Sequence, residues 1–146
     1  MARRVVVTGL GVVSSLGHDV ESVWRRVLDG QSGITSITKF DASRHASQVA
    51  GEVLDFESAC HVEPRDAAFM DEFIAFATCA AQQALDDSGQ LSTPLCRRRI
   101  GVSVGSAMGG LNLITSQDRV LQKSGPRRIS PLFIPFILPD AASGYI

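Results

Sequence analysis

Residues 99–114 read RIGVSVGSAMGGLNLI, and no other stretch restricts the possible folds as much. Ile100, Val102 and Val104 alternate with Gly101, Ser103 and Gly105, the period-two pattern of a strand that ends in glycine. Gly105, Ser106, Ala107, Met108, Gly109 and Gly110 follow, a bend that larger side chains would crowd. Leu111, Leu113 and Ile114 resume an apolar pattern suited to a helix. A strand that hands a glycine-rich bend to a helix is where α/β folds place ligands. Met108, the one large side chain in the bend, is then either aimed at a ligand or a flexible filler of the core. Both readings stand on this stretch alone.

A chain of 146 residues is long enough for one domain with a core. Its net charge of −1 provides no global field for nucleic acid or an anionic membrane. No apolar run reaches spanning length, and the opening MARRVVVTGLG breaks at glycine too early for a signal peptide. Cys60, Cys79 and Cys96 are odd in number and lack metal-like spacing, which suits a reducing compartment. The expectation is a cytoplasmic protein.

Taken in order, residues 4–9 form a β-branched run read as a buried strand. Gly9 and Gly11 then invite a dinucleotide-binding reading, but Ser14 holds the third glycine position and the next stretch is loop. Asp19 is the expected cap of a helix that ends at Gly30, with Val20, Val23, Trp24, Val27 and Leu28 at helical spacing. A loop over 31–41 and a short strand over 48–53 follow, then loop with at most a helical turn to 65. Residues 67–85 give the clearest helix: Met70, Phe73, Ile74, Ala77, Ala81, Ala84 and Leu85 share a face. The same wheel turns Cys79 outward among Glu72, Gln82 and Asp86, where acidic neighbours disfavour a thiolate. A helix is expected over 111–123. Beyond it, Pro131, Pro135 and Pro139 prevent one undisturbed apolar helix.

Several short motifs occur in one order along the whole chain. They are Arg3-Arg4-Val5-Val6-Val7-Thr8-Gly9-Leu10-Gly11, Gly30-Gln31-Ser32-Gly33-Ile34, Phe40-Asp41, Met70-Asp71, Ala84-Leu85-Asp86-Asp87-Ser88-Gly89, the glycine bend at 101–110, and Gly125-Pro126-Arg127-Arg128-Ile129-Ser130-Pro131. As an ordered set they resemble the N-terminal part of the type II, elongating β-ketoacyl-acyl carrier protein synthases. The resemblance implies an α/β fold: the N-terminal half of a thiolase-like αβαβα arrangement with a mixed central sheet. Residues 1–146 would form a single partial domain, truncated before the nucleophile.

Enzymes of this family condense an acyl thioester with a malonyl thioester. A cysteine takes the acyl chain, malonyl loses CO2, and the resulting carbanion attacks the acyl-enzyme. Two histidines and a lysine assist. By this resemblance the nucleophile belongs after Ile146. None of Cys60, Cys79 and Cys96, nor His18, His45 and His61, matches a catalytic motif, so no catalytic residue is assigned and the chain by itself is expected to be inactive. Met108 and Phe133 match residues of the acyl pocket, the latter contributed across a homodimer interface. Arg127 and Arg128 match a docking surface for the acidic acyl carrier protein, whose phosphopantetheine delivers the substrate; no directly bound cofactor is expected. A second docking patch retains only Arg65, because Ala68 and Phe69 stand where the family has positive charge. Nucleic acid and membrane are not expected partners. The alternatives are a non-catalytic partner of the chain-length-factor type and a dinucleotide-binding fragment. Missing strand neighbours lead to an expectation of poor solubility for the isolated chain.

Overall fold

A computed structural model describes residues 4–57, 62–89 and 97–146; Cys60, His61 and Cys96 lie outside them. The described residues form two compact units, one of 4–56 and 82–89, the other of 57, 62–81 and 97–146.

In the first unit, helix α1 (Val20–Leu28) starts where Asp19 caps it, the carboxylate accepting the Ser22 amide N–H at 2.8 Å. That bond satisfies one of the amides a helix start leaves without a partner. It also holds the Asp19 carboxyl below its usual range. Gly30, at φ +67°, takes the chain out of the helix. The apolar residues of α1 are at helical spacing but remain largely uncovered; Trp24 is 60% exposed and Leu28 68%. Strand β1 (Thr35–Ser36) pairs antiparallel with β2 (Val49–Ala50). The expected strand over 48–53 thus survives as two residues, and its partner lies within the expected loop.

The second unit opens with the short helix α2 (Pro64–Ala67), followed by α3 (Glu72–Asp87). The sequence pattern suggests one helix over 67–85; the structure breaks it between Ala67 and Glu72. Asp71, just before α3, turns its side chain to another element. The last residues of α3, 82–87, belong to the first unit. Ile74, Ala75 and Cys79 are its buried residues. The outward reading of Cys79 is corrected: the residue is 2% exposed. Single-helix periodicity puts Cys79 off the most apolar face, but it does not count the neighbours that cover the other faces.

Helix α4 (Leu111–Ser124) follows the glycine bend, and Gly125 at φ +77° ends it. A 3-10 turn, Pro126–Arg128, leads to α5 (Phe133–Ile137) and α6 (Ala141–Tyr145). The prolines divide this apolar run as expected. Tyr145 Oη accepts the Glu63 amide N–H at 2.9 Å, tying α6 to the start of α2.

Residues 5–9 and 100–105, expected as strands, lie outside any helix or strand. A strand exists only through a hydrogen-bonded neighbour, and among the described residues β1–β2 is the one ladder. Their side chains stay uncovered: Val5 is 91% exposed and Ile100 52%. No helix among the described residues is long and apolar enough to cross a membrane.

Candidate functional site

The glycine bend is held from two sides within the second unit. Asp71, 6% exposed, accepts the Leu113 amide N–H through Oδ2 at 2.8 Å. Leu113 lies in the first turn of α4, so a carboxylate from the start of α3 caps a different helix, where negative charge is favoured. On the other side, the Gly110 amide donates to the Ile137 carbonyl at the end of α5, 3.0 Å away. Neither glycine has room for a side chain. A Cβ on Gly110 would lie 3.0 Å from Ile137 Cα and 3.2 Å from Asp71 Cβ. On Gly109, at φ +65°, it would run into the Ile137 carbonyl oxygen. The sequence reading that this bend excludes larger side chains holds at Gly109 and Gly110, where the atoms responsible belong to Asp71 and α5; at Gly105 a side chain would meet nothing within 4 Å.

Met108 stands on this clamped bend with 65% of its surface exposed, so it is not buried as core. Phe133 begins α5, half-buried, and its amide donates to the Ser130 carbonyl at 3.0 Å. The Ser130 amide in turn donates to Gln117 Oε1 on α4 at 2.9 Å. Met108 and Phe133 are therefore carried by segments that both pack on α4. Arg127 and Arg128 are exposed on the 3-10 turn after α4. Arg65 is exposed on α2, its Nε 3.8 Å from the Asp66 carboxylate.

The glycine at 9 serves packing. A Cβ on Gly9 would run into the Ala84 carbonyl of α3. The Leu10 amide donates to Asp87 Oδ2 at 2.9 Å and the Val12 amide to Gln83 Oε1 at 3.0 Å. A pyrophosphate needs free backbone amides at such a loop; here side chains of α3 already hold them. This weighs against the dinucleotide alternative and explains Gly9 mechanically.

A second feature escaped the sequence reading. A polar cleft of about 410 Å³ in the first unit is lined by Ser14, His18, Arg26, Glu52 and Asp55, among others. Its residues are scattered from 14 to 55, so no local motif announces it. Glu52 is already occupied, accepting from the Thr38 hydroxyl at 2.7 Å and the Lys39 amide at 3.1 Å, which lowers its pKa. His18 stands edge-on to Phe56, ring centroids 5.4 Å apart, and His45 meets Phe40 at 5.6 Å. Among the described residues no cluster of three His, Cys, Asp or Glu is arranged to hold a metal.

Comparison with known proteins shows the same ordering over the whole chain. Residues 2–146 match the family described as "Beta-ketoacyl synthase, N-terminal domain". The chain is 44% identical over 142 residues to a 3-oxoacyl-[acyl-carrier-protein] synthase 2 of Vibrio harveyi, covering 97% of this chain and 34% of the relative. It is 44% identical over 144 residues to the protein of that name from Coxiella burnetii, covering 99% and 35%. The chain thus spans about a third of the length of the curated relatives it matches. Among solved structures, the ishigamide ketosynthase/chain length factor aligns at TM-score 0.73 and 30% identity, over 94% of this chain and 34% of that one. A β-ketoacyl synthase from Burkholderia phymatum aligns at TM-score 0.78 and 21% identity, over 99% and 36%, which shows a shared fold. The expected fold class, the N-terminal portion of the layered thiolase-like α/β fold, is the one these neighbours have.

Proposed function

The chain belongs to the beta-ketoacyl synthase family, as its N-terminal domain, and on that premise we propose that the protein condenses acyl and malonyl thioesters in fatty acid or polyketide synthesis. The match of residues 2–146 to that family carries the reading. Similarity to relatives named 3-oxoacyl-[acyl-carrier-protein] synthase 2 favours fatty acid elongation, with acyl carrier protein as the donor.

In this reaction a thiolate attacks the acyl thioester, and the carrier's phosphopantetheine thiol leaves. Malonyl thioester then loses CO2, and the electron pair released at its α-carbon attacks the acyl-enzyme carbonyl and expels the enzyme thiol. Cys79 does not serve as that nucleophile, since a cysteine 2% exposed on α3 has no approach for a thioester. On this reading the nucleophile is not among residues 1–146. The role proposed for residues 1–146 is scaffold, pocket wall and docking face. Met108 on its clamped bend and Phe133 on α5 would bound the acyl chain, in keeping with a pocket wall fixed by rigid elements. Arg127, Arg128 and Arg65 would receive the acidic carrier, and phosphopantetheine would arrive on it. A cytoplasmic homodimer is part of the same proposal.

The test is incubation of the full-length protein with acyl-carrier and malonyl-carrier thioesters, followed by mass spectrometry of the carrier. A 3-oxoacyl product two carbons longer than the acyl donor supports the reading. The likeness to a ketosynthase/chain length factor structure favours one alternative, a non-catalytic partner subunit. That reading holds if product forms only when a second ketosynthase is supplied.

A further inference from the structure

Asp71 serves two helix starts at once. Its carbonyl accepts the Ile74 amide at the beginning of α3, 3.1 Å away, and its carboxylate accepts the Leu113 amide in the first turn of α4. Helix α4 has no side-chain cap of its own, because Gly110 occupies the N-cap position and offers no acceptor. A serine or aspartate there would cap α4 locally, but Ile137 and Asp71 approach too closely for a Cβ. The cap therefore comes from outside α4, through a carboxylate only 6% exposed. Burying a charge is costly unless a partner holds it, and here the partner is a helix start whose dipole favours it.

This arrangement fixes where α4 begins relative to α3. Met108 stands two residues before Gly110. Upstream of Met108 the chain is less confined: a Cβ at Gly105 would meet nothing within 4 Å. The anchor of Met108 is thus on its α4 side, in the Asp71 bond to Leu113 and the Ile137 bond to Gly110. Ile137 lies about one turn beyond Phe133 on α5, so the same helix start also meets the segment that carries the second pocket residue.

We propose that Asp71 is a positioning residue for acyl-chain length: by capping α4 it fixes the bend on which Met108 stands, and so sets how firmly that wall stops the acyl chain. This rests on the reading of Met108 as pocket wall and adds to it a residue that acts through it. A flexible thioether side chain limits length only while its backbone holds still. Loss of the cap lets the bend yield, and donors longer than the preferred one gain.

The test is kcat/KM of the full-length protein for a series of saturated acyl-carrier donors, with hydrogen exchange at the Leu113 amide as the check that the cap is lost. In Asp71→Ala, kcat/KM for a donor two carbons beyond the preferred length, relative to the preferred donor, should rise about tenfold, within what methylene discrimination in an apolar pocket allows. Asp71→Asn, which keeps an acceptor, should shift the ratio less. Asp19→Ala removes a cap of the same kind from α1 and should leave the ratio at its wild-type value while lowering stability. A rate loss shared equally by all donors in Asp71→Ala, or an unchanged profile with faster Leu113 exchange, makes the cap purely structural and overturns the proposal. If Asp71→Ala does not fold, Asp71→Asn decides: faster Leu113 exchange with an unshifted ratio overturns it. An unshifted profile in Met108→Ala overturns the pocket-wall reading beneath it, and absence of condensation by the wild type overturns the proposed function.

Discussion

Replacing Asp71 with alanine should release the glycine bend, and the structure sets the size of the effect. The carboxylate is 6% exposed and accepts the Leu113 amide at 2.8 Å. A hydrogen bond to a charged group contributes about 1.5–3 kcal/mol. Its position in the first turn of α4 adds a favourable dipole interaction of about 0.3–1 kcal/mol. Removal also leaves the Leu113 amide without its acceptor. We take about 2 kcal/mol as the local loss for Asp71→Ala, which corresponds to about thirtyfold faster opening. Asp71→Asn keeps an acceptor but not the charge, and should lose about half of that free energy. The assay is amide hydrogen exchange in the full-length protein. The Leu113 amide should exchange about thirtyfold faster in the alanine variant and at an intermediate rate in the asparagine variant. The amides of α1, in the other unit, should not respond. A Leu113 exchange rate equal to wild type in Asp71→Ala would refute the reasoning, because the bend would then be held by the Gly110–Ile137 bond alone.

Gly109→Ala combines a left-handed backbone with a clash against the Ile137 carbonyl and should cost at least about 2 kcal/mol by denaturant titration. Titration with NAD(P)H should give no fluorescence change, since Leu10 and Val12 amides are already bound by Asp87 and Gln83; saturable enhancement would contradict the packing role of Gly9. Asp19→Ala should lower the stability of α1 by about 1 kcal/mol at neutral pH, read by circular dichroism. The Asp19 carboxyl has a lowered folded-state pKa because of the Ser22 amide. Its contribution is therefore present above the ordinary 3.8 and lost as pH falls through the lowered value, so wild type and variant should converge in that acid range. Residues 1–146 expressed alone should self-associate in sedimentation velocity, driven by uncovered Val5, Val7, Ile100 and Ile134; a concentration-independent monomer would be the contrary result.

Helices were legible where a cap, a period and a stop signal agree locally. Asp19 and Gly30 bound α1, and Gly125 ends α4, because each acts on the few backbone groups next to it. The structure starts α3 five residues later than the sequence pattern does, and the Asp71 carboxylate just before it reaches Leu113, forty-two positions on. Cys79 was misplaced because a helical wheel shows one preferred face but not how many neighbours approach the others.

What the amino-acid order determined by itself is the family, through motifs that occur in sequence, and the need for glycine at the bend, through backbone sterics. Only the folded chain decided which atoms impose that need: Ile137 and Asp71 at Gly110, and the Ala84 carbonyl at Gly9. Strand character was the converse case. Alternating β-branched residues at 5–9 and 100–105 express a preference, but a ladder is a property of two segments, and among the described residues none pairs with these.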